Sequence, residues 1–358
     1  MSFSFGFGSD DEAGGPAAGG GRKTRPAAAL AAAPPAAREA GAVRRVALPS
    51  PAKLAATLAG AKWETVSAAA SLPLRKRTLQ SKQVEAPYAS ALQESDLLPG
   101  VYEGGFKLWE CAVDLAVYLA ELPEEQAAAA GGAGTRVLEL GCGHGLPGLV
   151  SLCRGAHVDF LDYNAEVVQQ LTIPNVAAAA ADHCGAGNAA VAEEMMSRAQ
   201  FFSGDWCGLL SGDSPAHAKY DLILTSDTLY NEACVRDLAA LIPELLTESG
   251  VAYVASKRHY FGVGGGTDDF RRQSAAVESQ TDALRVAEAA DAAGAGIDSS
   301  SSSSNAGTGS AAAFDGPLQK RPRRQERKRR IEIAAVAEFE DGKSNVRDLV
   351  TMRFASVT

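Results

Sequence analysis

The chain has 358 residues, of which 46% are hydrophobic and 22% are charged, and its formal net charge is −9 at pH 7. This length suffices for one large domain or two small ones. The sequence has no run of about 18 apolar residues and begins without the basic and apolar regions of a secretory signal, so we expect neither a membrane span nor a secreted protein.

The charge is distributed unevenly along the chain. Residues 1–100 carry a net charge of +4 and the run 320–330 carries +7, which leaves −20 for the rest. An acidic body attracts basic partners over a long range, so we expect a basic protein as the substrate. The six cysteines form no C-x-x-C pair and show no zinc-ligand spacing, which predicts a reducing compartment and no metal site.

The N-terminal part of the chain is low in complexity. Residues 8–60 are rich in Ala, Gly and Pro, which predicts disorder, and segment 61–94 is ambiguous, with short helices docked on the core as one interpretation. We therefore assign residues 1–94 to a largely disordered region and residues 95–358 to one domain. Apolar side chains at helical spacing then predict a helix over about 107–122.

The stretch PGVYEGGFKLWEC, residues 99–111, combines glycines with closely spaced Tyr and Trp residues. Solvated loops seldom carry two such aromatic residues so close together. The stretch therefore predicts a lid that folds over a ligand, with Trp109 and Glu110 facing it. A plain packing segment is the alternative.

The remainder alternates predicted strands with helices, a pattern typical of a parallel sheet covered on both faces. A low-complexity and basic insertion interrupts it at about 271–330, and the last two strands form a hairpin. The predicted fold class is α/β, with a Rossmann-like, mostly parallel sheet of seven strands, an antiparallel last strand and helices on both faces. The predicted strands are 136–140, 157–163, 199–206, 221–227, 250–257, 330–340 and 345–355, and the predicted helices between them are 146–153, 165–182 and 232–247.

The segment RVLELGCGHG, residues 136–145, is the most informative part of the sequence. A buried strand runs into Gly141 and Gly143, whose lack of a side chain lets a ligand approach the backbone. Asp162 follows 21 residues after Gly141 and closes the next strand, where doubly wound folds hold ribose hydroxyls. Glu139 disfavours phosphate and suits an ammonium group. The form E-L-G-C-G-x-G is that of class I methyltransferases, which use S-adenosyl-L-methionine; an ordinary glycine turn is the alternative.

Three further strand ends supply candidate residues, because ligands bind beyond the carboxyl ends of such strands. Tyr163 and Trp206 are expected to pack on the adenine, and Asp205 to accept a hydrogen bond from its amino group. Asp227 follows the fourth strand, next to the expected position of the methyl group. The alternatives are a core aromatic residue for Trp206 and a helix N-cap for Asp227.

The segment KRHYFGVGGGTDDF, residues 257–270, follows the fifth strand. Its glycines do not form the phosphate-binding pattern G-x-x-x-x-G-K-[ST]. We expect a mobile loop that faces the substrate through His259, Tyr260 and Phe261, and a solvent-facing histidine is the alternative for His259.

These motifs carry a family resemblance. The chain resembles the eukaryotic histidine protein methyltransferases of the methyltransferase-like group in the strings PGVYEGGFKLWEC, VLELGCGHGLPGL, LDYNAEVVQQLTIPNV, FFSGDW, YDLILTSDTLYN and ASKRHYFGVGGG. The resemblance covers about 95–270 and the final strands, and His144 and the insertion depart from the family's pattern. It implies an enzyme of the cytoplasm, nucleus and nucleolus that methylates a histidine ring nitrogen of a large-subunit ribosomal protein, the universal protein three.

The resemblance also completes the set of candidate residues by adding Cys111, Gly204 and Ser226. The candidate cofactor-binding residues are Trp109, Glu110, Cys111, Glu139, Gly141, Gly143, Asp162, Tyr163, Gly204, Asp205, Trp206 and Ser226, and the candidate catalytic residues are Asp227 and Tyr230.

A neutral imidazole with a reference pKa of about 6.5 is already nucleophilic at pH 7. Asp227 could accept a hydrogen bond from the distal ring N–H and stabilise the imidazolium that forms. The D-x-x-Y pattern of Asp227 and Tyr230 also fits a lysine methyltransferase, which is the first alternative. The second is a non-catalytic binding module in ribosome biogenesis.

The basic run 320–330 predicts contact with a nuclear import receptor or with RNA. A solvated charged linker is the alternative. We expect a monomer.

Overall fold

A sheet of eight strands organises the part of the chain that the computed structural model describes. The described residues are 42–67, 74–79, 97, 100–123, 126, 131–183, 188–216, 219–260, 262–277, 330–340 and 345–355. The strands are β1 (Arg44–Arg45), β2 (Lys62–Ser67), β3 (Leu74–Thr78), β4 (Arg136–Leu140), β5 (His157–Asp162), β6 (Ala199–Ser203), β7 (Tyr220–Ser226), β8 (Leu246–Lys257), β9 (Ile331–Phe339) and β10 (Arg347–Phe354). The helices are α1 (Pro51–Ala59), α2 (Glu110–Glu121), α3 (Leu146–Cys153), α4 (Ile173–His183, preceded by Ala165–Val167 and a π-helical turn at Val168–Thr172), α5 (Ala189–Ser197), α6 (Glu232–Leu245) and α7 (267–277), with a 3₁₀ turn at Trp206–Leu210.

The strand order of the main sheet is β1-β6-β5-β4-β7-β8-β10-β9. The five central strands, β4 to β8, are parallel, and β10 lies antiparallel between β8 and β9. The predicted fold class is therefore confirmed, including the antiparallel last strand. The sheet has one strand more than predicted, because β1 pairs antiparallel with the edge of β6.

Neighbouring side chains of each central strand enter two different cores. Val137 and Leu222 pack on the face covered by α2 to α5, whereas Leu138 and Ile223 pack on the face covered by α6. Each of these side chains is buried, and full burial of such a side chain contributes roughly 1.5–3 kcal/mol. Burial on both faces explains why these strands are continuous apolar runs, and it fixes the carboxyl ends of the strands at one rim of the sheet.

The N-terminal region departs from the prediction of a largely disordered segment over 1–94. Residues 1–41 lie outside the described residues, but β1 and α1 follow them, and β2 pairs with β3 in a hairpin where short helices were one interpretation. Val43 and Val46 are buried, and the Val46 backbone N–H donates to Phe201 at 2.8 Å. A two-residue strand is too short to recognise from an alanine-rich sequence. In the structure, β1 pairs with backbone N–H and C=O groups of β6 that would otherwise lie unpaired at the edge of the sheet.

The predicted insertion over 271–330 lies mostly outside the described residues, and its first residues continue α7. In the described part of the chain, no helix combines the length and apolar character that crossing a membrane requires.

Candidate active site: a cleft at the carboxyl ends of the central strands

A cleft opens where β4, β5, β6 and β7 end. One strand end after another contributes to its lining: Gly141 after β4, Asp162 on β5, Asp205 after β6 and Ser226 on β7. This position is where open α/β sheets bind ligands. Ten of the predicted site residues line the cleft, namely Trp109, Gly141, Gly143, Asp162, Tyr163, Asp205, Trp206, Ser226, Asp227 and Tyr230.

The glycine loop between β4 and α3 turns through left-handed backbone conformations. Gly141 and Gly143 have φ values of 64° and 49°, which strain other residues. A Cβ atom on Gly141 would lie 2.6 Å from the Thr228 methyl carbon. The loop therefore depends on glycine and leaves its backbone in contact with the cleft.

Asp162 fastens this loop to the next strand. Its Oδ2 accepts a hydrogen bond from the Gly143 N–H at 2.9 Å, and its Oδ1 accepts one from the Asn164 N–H at 3.1 Å. Burial raises the pKa of Asp162 to about 6. Since each carboxylate oxygen has a second lone pair, Asp162 can still accept hydrogen bonds from ribose hydroxyls.

Four predicted cofactor-binding residues do not line the cleft. Glu139 lies behind the glycine loop, where its Oε2 accepts a hydrogen bond from the Gly148 N–H at 2.9 Å and burial raises its pKa to about 8. Gly204 packs against the backbone of Ala42 and Val43. Glu110 and Cys111 begin α2, behind Trp109.

The predicted lid crosses the cleft in the described structure. Tyr163 donates its hydroxyl to the Gly100 carbonyl at 3.0 Å, and the Asn164 side chain donates to the Val101 carbonyl at 2.8 Å. Trp109 lines the cleft, whereas Glu110 does not. The lid also brings Glu103 and Lys107 into the lining, which the sequence analysis missed, because only the direction of the folded lid distinguishes these residues from solvated charges.

Asp227 occupies a constrained position at the cleft. Among the described residues other than glycine, only Asp227 has a positive φ, of 51°. Its Oδ2 accepts from the Cys111 N–H at 2.9 Å and its Oδ1 from the Tyr260 hydroxyl at 2.8 Å. Burial raises its pKa. Asp227 does not cap α6, the helix that follows it, because Asn231 occupies that position. It instead accepts a hydrogen bond from the first turn of α2.

The other candidate catalytic residue, Tyr230, joins the loop after β7 to the lid. Its hydroxyl donates to the Glu103 carboxylate. The second carboxylate oxygen of Glu103 accepts a hydrogen bond from the Gly100 N–H at 2.7 Å. Burial raises the pKa of Tyr230 well above its ordinary value, so the hydroxyl keeps its proton at neutral pH.

The predicted substrate-facing residues are dispersed. Tyr260 is buried behind Asp227, His259 is half-exposed and lies 3.4 Å from Asp268, and neither lines the cleft. Phe261 lies outside the described residues. The expected mobile loop is anchored, since the Gly266 N–H donates to the Leu229 carbonyl at 2.8 Å. The loop supports the residues after β7 from behind.

The chemistry of the lining fits a ligand that carries a nucleoside and positive charge. Four carboxylates line the cleft, which disfavours a polyphosphate and suits ammonium and sulfonium groups. Two buried polar atoms of lining residues, Trp206 Nε1 and His144 Nδ1, have no hydrogen-bond partner among the described residues. Among the described residues, no group of three or more His, Cys, Asp or Glu side chains could hold a metal ion.

Known proteins resemble this chain over the same region. Residues 100–262 match a family described as "Lysine methyltransferase". The histidine protein methyltransferase 1 homologue of Dictyostelium discoideum is 45% identical over 183 residues, 51% of this chain and 52% of that protein. The Bos taurus homologue is 37% identical over 235 residues, 62% of this chain and 60% of that protein. A solved putative S-adenosylmethionine-dependent methyltransferase of Streptococcus mutans is 11% identical, with coverage of 78% of this chain and 53% of its own and a TM-score of 0.42.

The strand order and the cleft at its switch point define a class I methyltransferase fold. The curated relatives are histidine protein methyltransferases, so the resemblance predicted from the motifs is confirmed. The chain spans 52% and 60% of the lengths of these two relatives.

Proposed function

We propose that this chain is an S-adenosylmethionine-dependent protein-histidine N-methyltransferase. The observation that carries the proposal is the acidic cleft at the switch point, within a region 45% identical to a relative named histidine protein methyltransferase 1 homologue. S-adenosylmethionine supplies an electrophilic methyl group on a positively charged sulfur.

Residues at the ends of different strands bind different parts of this cofactor. Gly141 and Gly143 present backbone to its methionyl part, and Asp162 accepts hydrogen bonds from its ribose. Asp205 and Trp206 lie after β6, where the adenine belongs in this fold.

The loop after β7 lies where the acceptor histidine enters. Holding the reacting atoms about 3–3.5 Å apart and aligned can supply roughly 7–11 kcal/mol of the barrier. The ring nitrogen forms a bond to the methyl carbon as the carbon–sulfur bond breaks and its electron pair stays on sulfur. Asp227, fixed by Cys111 and Tyr260, orients the distal ring N–H and stabilises the imidazolium, which then releases that proton to solvent.

The proposed substrate is a basic ribosomal protein, the large-subunit universal protein three. The net −20 of the chain outside residues 1–100 and 320–330 supports a basic partner through long-range attraction. We place the enzyme in the cytoplasm, nucleus and nucleolus. Deletion of 320–330 should abolish nuclear accumulation of a fluorescent fusion, and unchanged import would remove the targeting role of this run.

Labelled-methyl transfer tests the proposal. The purified chain should transfer labelled methyl groups to isolated ribosomal proteins, and acid hydrolysis should yield methylhistidine. A product that contains methyl-lysine and no methylhistidine would overturn the assignment of histidine. Absence of S-adenosylhomocysteine binding by calorimetry would instead favour a non-catalytic module.

Lysine methylation is the second candidate, because the matching family is described by that activity. Lysine has a reference pKa of about 10.4 and must lose a proton before it attacks. The hydrolysis products of the same experiment distinguish the two residues directly.

A further inference from the structure

The first described segments of the chain are strongly basic, unlike the domain that they join. Segments 42–67 and 74–79 hold seven lysine and arginine residues and one acid. They comprise β1, α1 and the β2–β3 hairpin, and we call them the N-terminal layer. Outside residues 42–79 and the run 320–330, the chain has a net charge of −22. A positive region on an acidic protein concentrates anions at one surface, so the layer is suited to an anionic partner.

Three cations of the N-terminal layer have charges that no neighbouring group offsets. The side chains of Arg44, Lys53 and Lys62 are exposed, and none has a hydrogen-bond or ion-pair partner among the described residues. Other cations of the layer are paired, since Arg75 contacts Asp182 and Lys76 contacts Glu64. The three exposed side chains are therefore available to a ligand.

The elements that carry these three cations cover the same face of the main sheet. Val43 packs in one core and Val46 in the other, and side chains alternate along a strand, so Arg44 lies on the side of Val46. The helix α1 and the hairpin pack Leu54 and Leu74 on the core that contains Val46. The three cations thus belong to one layer of the molecule.

An aromatic ring lies within this basic layer. Trp63 directly follows Lys62 and is half-buried, and the Arg75 guanidinium carbon is 4.7 Å from the centroid of its ring. Proteins bind single-stranded nucleic acids through cations that follow the phosphates and through aromatic rings and arginine planes on which bases stack. An acidic peptide offers no base to stack, so the ring favours a polynucleotide as the partner.

We infer that the N-terminal layer binds a single-stranded polynucleotide. Arg44, Lys53 and Lys62 contact its phosphates, and Trp63 stacks on a base. The inference concerns a surface different from the run 320–330, and it does not rest on the proposed function.

The salt dependence of binding tests the phosphate contacts. Fluorescence anisotropy would follow the full chain and a labelled oligouridylate of about 15 nucleotides, which is long enough for one such site. The triple variant Arg44→Gln/Lys53→Gln/Lys62→Gln should bind about 10- to 100-fold more weakly near 0.1 M salt. Its slope of log K against log[salt] should be less steep by about 2, because each phosphate contact in a single strand contributes about 0.7.

A second variant tests the stacking contact separately. Trp63→Leu removes the ring but no charge, so it should lower the affinity about 5- to 100-fold and leave the salt slope unchanged. Thermal unfolding would verify that each variant is folded. If Trp63→Leu does not fold, the salt slope of the triple variant still decides the inference.

A matched control removes the same charge from other elements. Arg136, Arg236 and Arg353 are exposed on β4, α6 and β10, and their joint substitution by Gln should leave affinity and slope as in the wild type. The run 320–330 is identical in all of these chains, so its own contribution cancels in the comparison. Oligothymidylate measured in parallel identifies RNA or DNA as the preferred strand.

Four outcomes would overturn the inference. They are no binding by the wild type, no loss in the first triple variant, equal losses in the two triple variants, and displacement of the oligonucleotide by an equal concentration of poly-glutamate. Equal losses would mean that binding follows net charge alone, and displacement would assign the layer to an acidic protein. These measurements contain no cofactor, so the binding of S-adenosylhomocysteine remains a separate test of the proposed function.

Discussion

The proposed function gives Asp227 a chemical role in addition to its structural contacts. Its carboxylate anchors the first turn of α2 through the Cys111 N–H and receives the Tyr260 hydroxyl, so it stands in one orientation beside the cleft. Sequence analysis could not predict this arrangement, because the partners are 116 and 33 residues away along the chain.

Asp227→Asn tests the chemical role. The amide keeps an oxygen that can accept hydrogen bonds but loses the charge that stabilises an imidazolium. We expect kcat to fall about 10- to 100-fold, in line with roughly 1.5–3 kcal/mol for a hydrogen bond to a charged group. Calorimetry should find S-adenosylhomocysteine affinity unchanged. An equal loss of affinity would mean that Asp227 only supports the cofactor site.

Glu139 predicts a pH dependence of stability. Burial raises its pKa from 4.5 to about 8, so the folded state disfavours its ionisation. The free energy of unfolding is therefore not reduced by Glu139 below about pH 4.5, where the carboxyl is protonated in both states. It falls as the pH rises from about 4.5 to about 8, because only the unfolded state then releases the proton. Glu139→Gln mimics the protonated acid and should gain on the order of 3 kcal/mol relative to the wild type between pH 5.5 and 8.5.

Urea unfolding of the ligand-free protein at the two pH values measures this difference. The exposed Glu193→Gln on α5 is the matched control and should show no such change. If the difference in unfolding free energy between Glu139→Gln and the wild type were the same at both pH values, Glu139 would not be buried in its protonated form.

At the scale of elements, the loop before α7 positions the loop after β7. Gly265 has a φ of 93°, and a Cβ there would lie 2.3 Å from the Leu229 carbonyl oxygen. This close backbone approach explains a glycine-rich motif that the sequence analysis interpreted as a mobile loop. The glycines serve packing against the segment that carries Asp227 and Tyr230.

Gly265→Ala should therefore lower the free energy of unfolding by more than the strain of a left-handed alanine alone. We expect a loss of unfolding free energy of more than about 3 kcal/mol, because the clash adds to about 1–2 kcal/mol for a left-handed alanine. Gly134→Ala is the control, since it has a φ of 81° but nothing within 4 Å of the added Cβ. Denaturant unfolding would compare them, and equal losses would show that backbone strain alone accounts for the effect.

The elements that the sequence predicts best are those whose pattern is local. The strands β4 to β8 are apolar runs bounded by loops, and α3 and α6 begin and end within two residues of their predicted limits. The helix predicted over 165–182 corresponds to the whole helical run of Ala165–Val167, the π-helical turn Val168–Thr172 and α4. The β2–β3 hairpin was missed because KWETVS and LRKRT are polar and pack on α4 and α2 rather than in the main sheet. Glu103 and Lys107 were missed because charge alone does not reveal which face of the lid meets the cleft.

For the whole molecule, the boundary of the folded unit lies earlier than residue 95. Removal of residues 1–41 keeps β1 and α1, whereas removal of residues 1–60 deletes both. The longer truncation loses the burial of Val43 and Val46 and should cost about 3–6 kcal/mol at roughly 1.5–3 kcal/mol per side chain.

Thermal unfolding of the two truncated chains measures this boundary. The chain that begins at residue 42 should melt near the full-length protein, and the chain that begins at residue 61 should melt several degrees lower. Identical melting temperatures would show that β1 is dispensable.

The contact of Gly204 with the Ala42 and Val43 backbone has a thermodynamic consequence. A Cβ on Gly204 would lie 2.7 Å from the Ala42 carbonyl oxygen, and the next two residues, Asp205 and Trp206, line the cleft. We therefore expect binding of the cofactor's adenine to slow amide hydrogen exchange in residues 43–46. A ligand that stabilises the turn at Gly204 also stabilises β1, which packs against that turn. Because such coupling is reciprocal, a change that detaches β1 from β6 should weaken nucleoside binding by the same free energy.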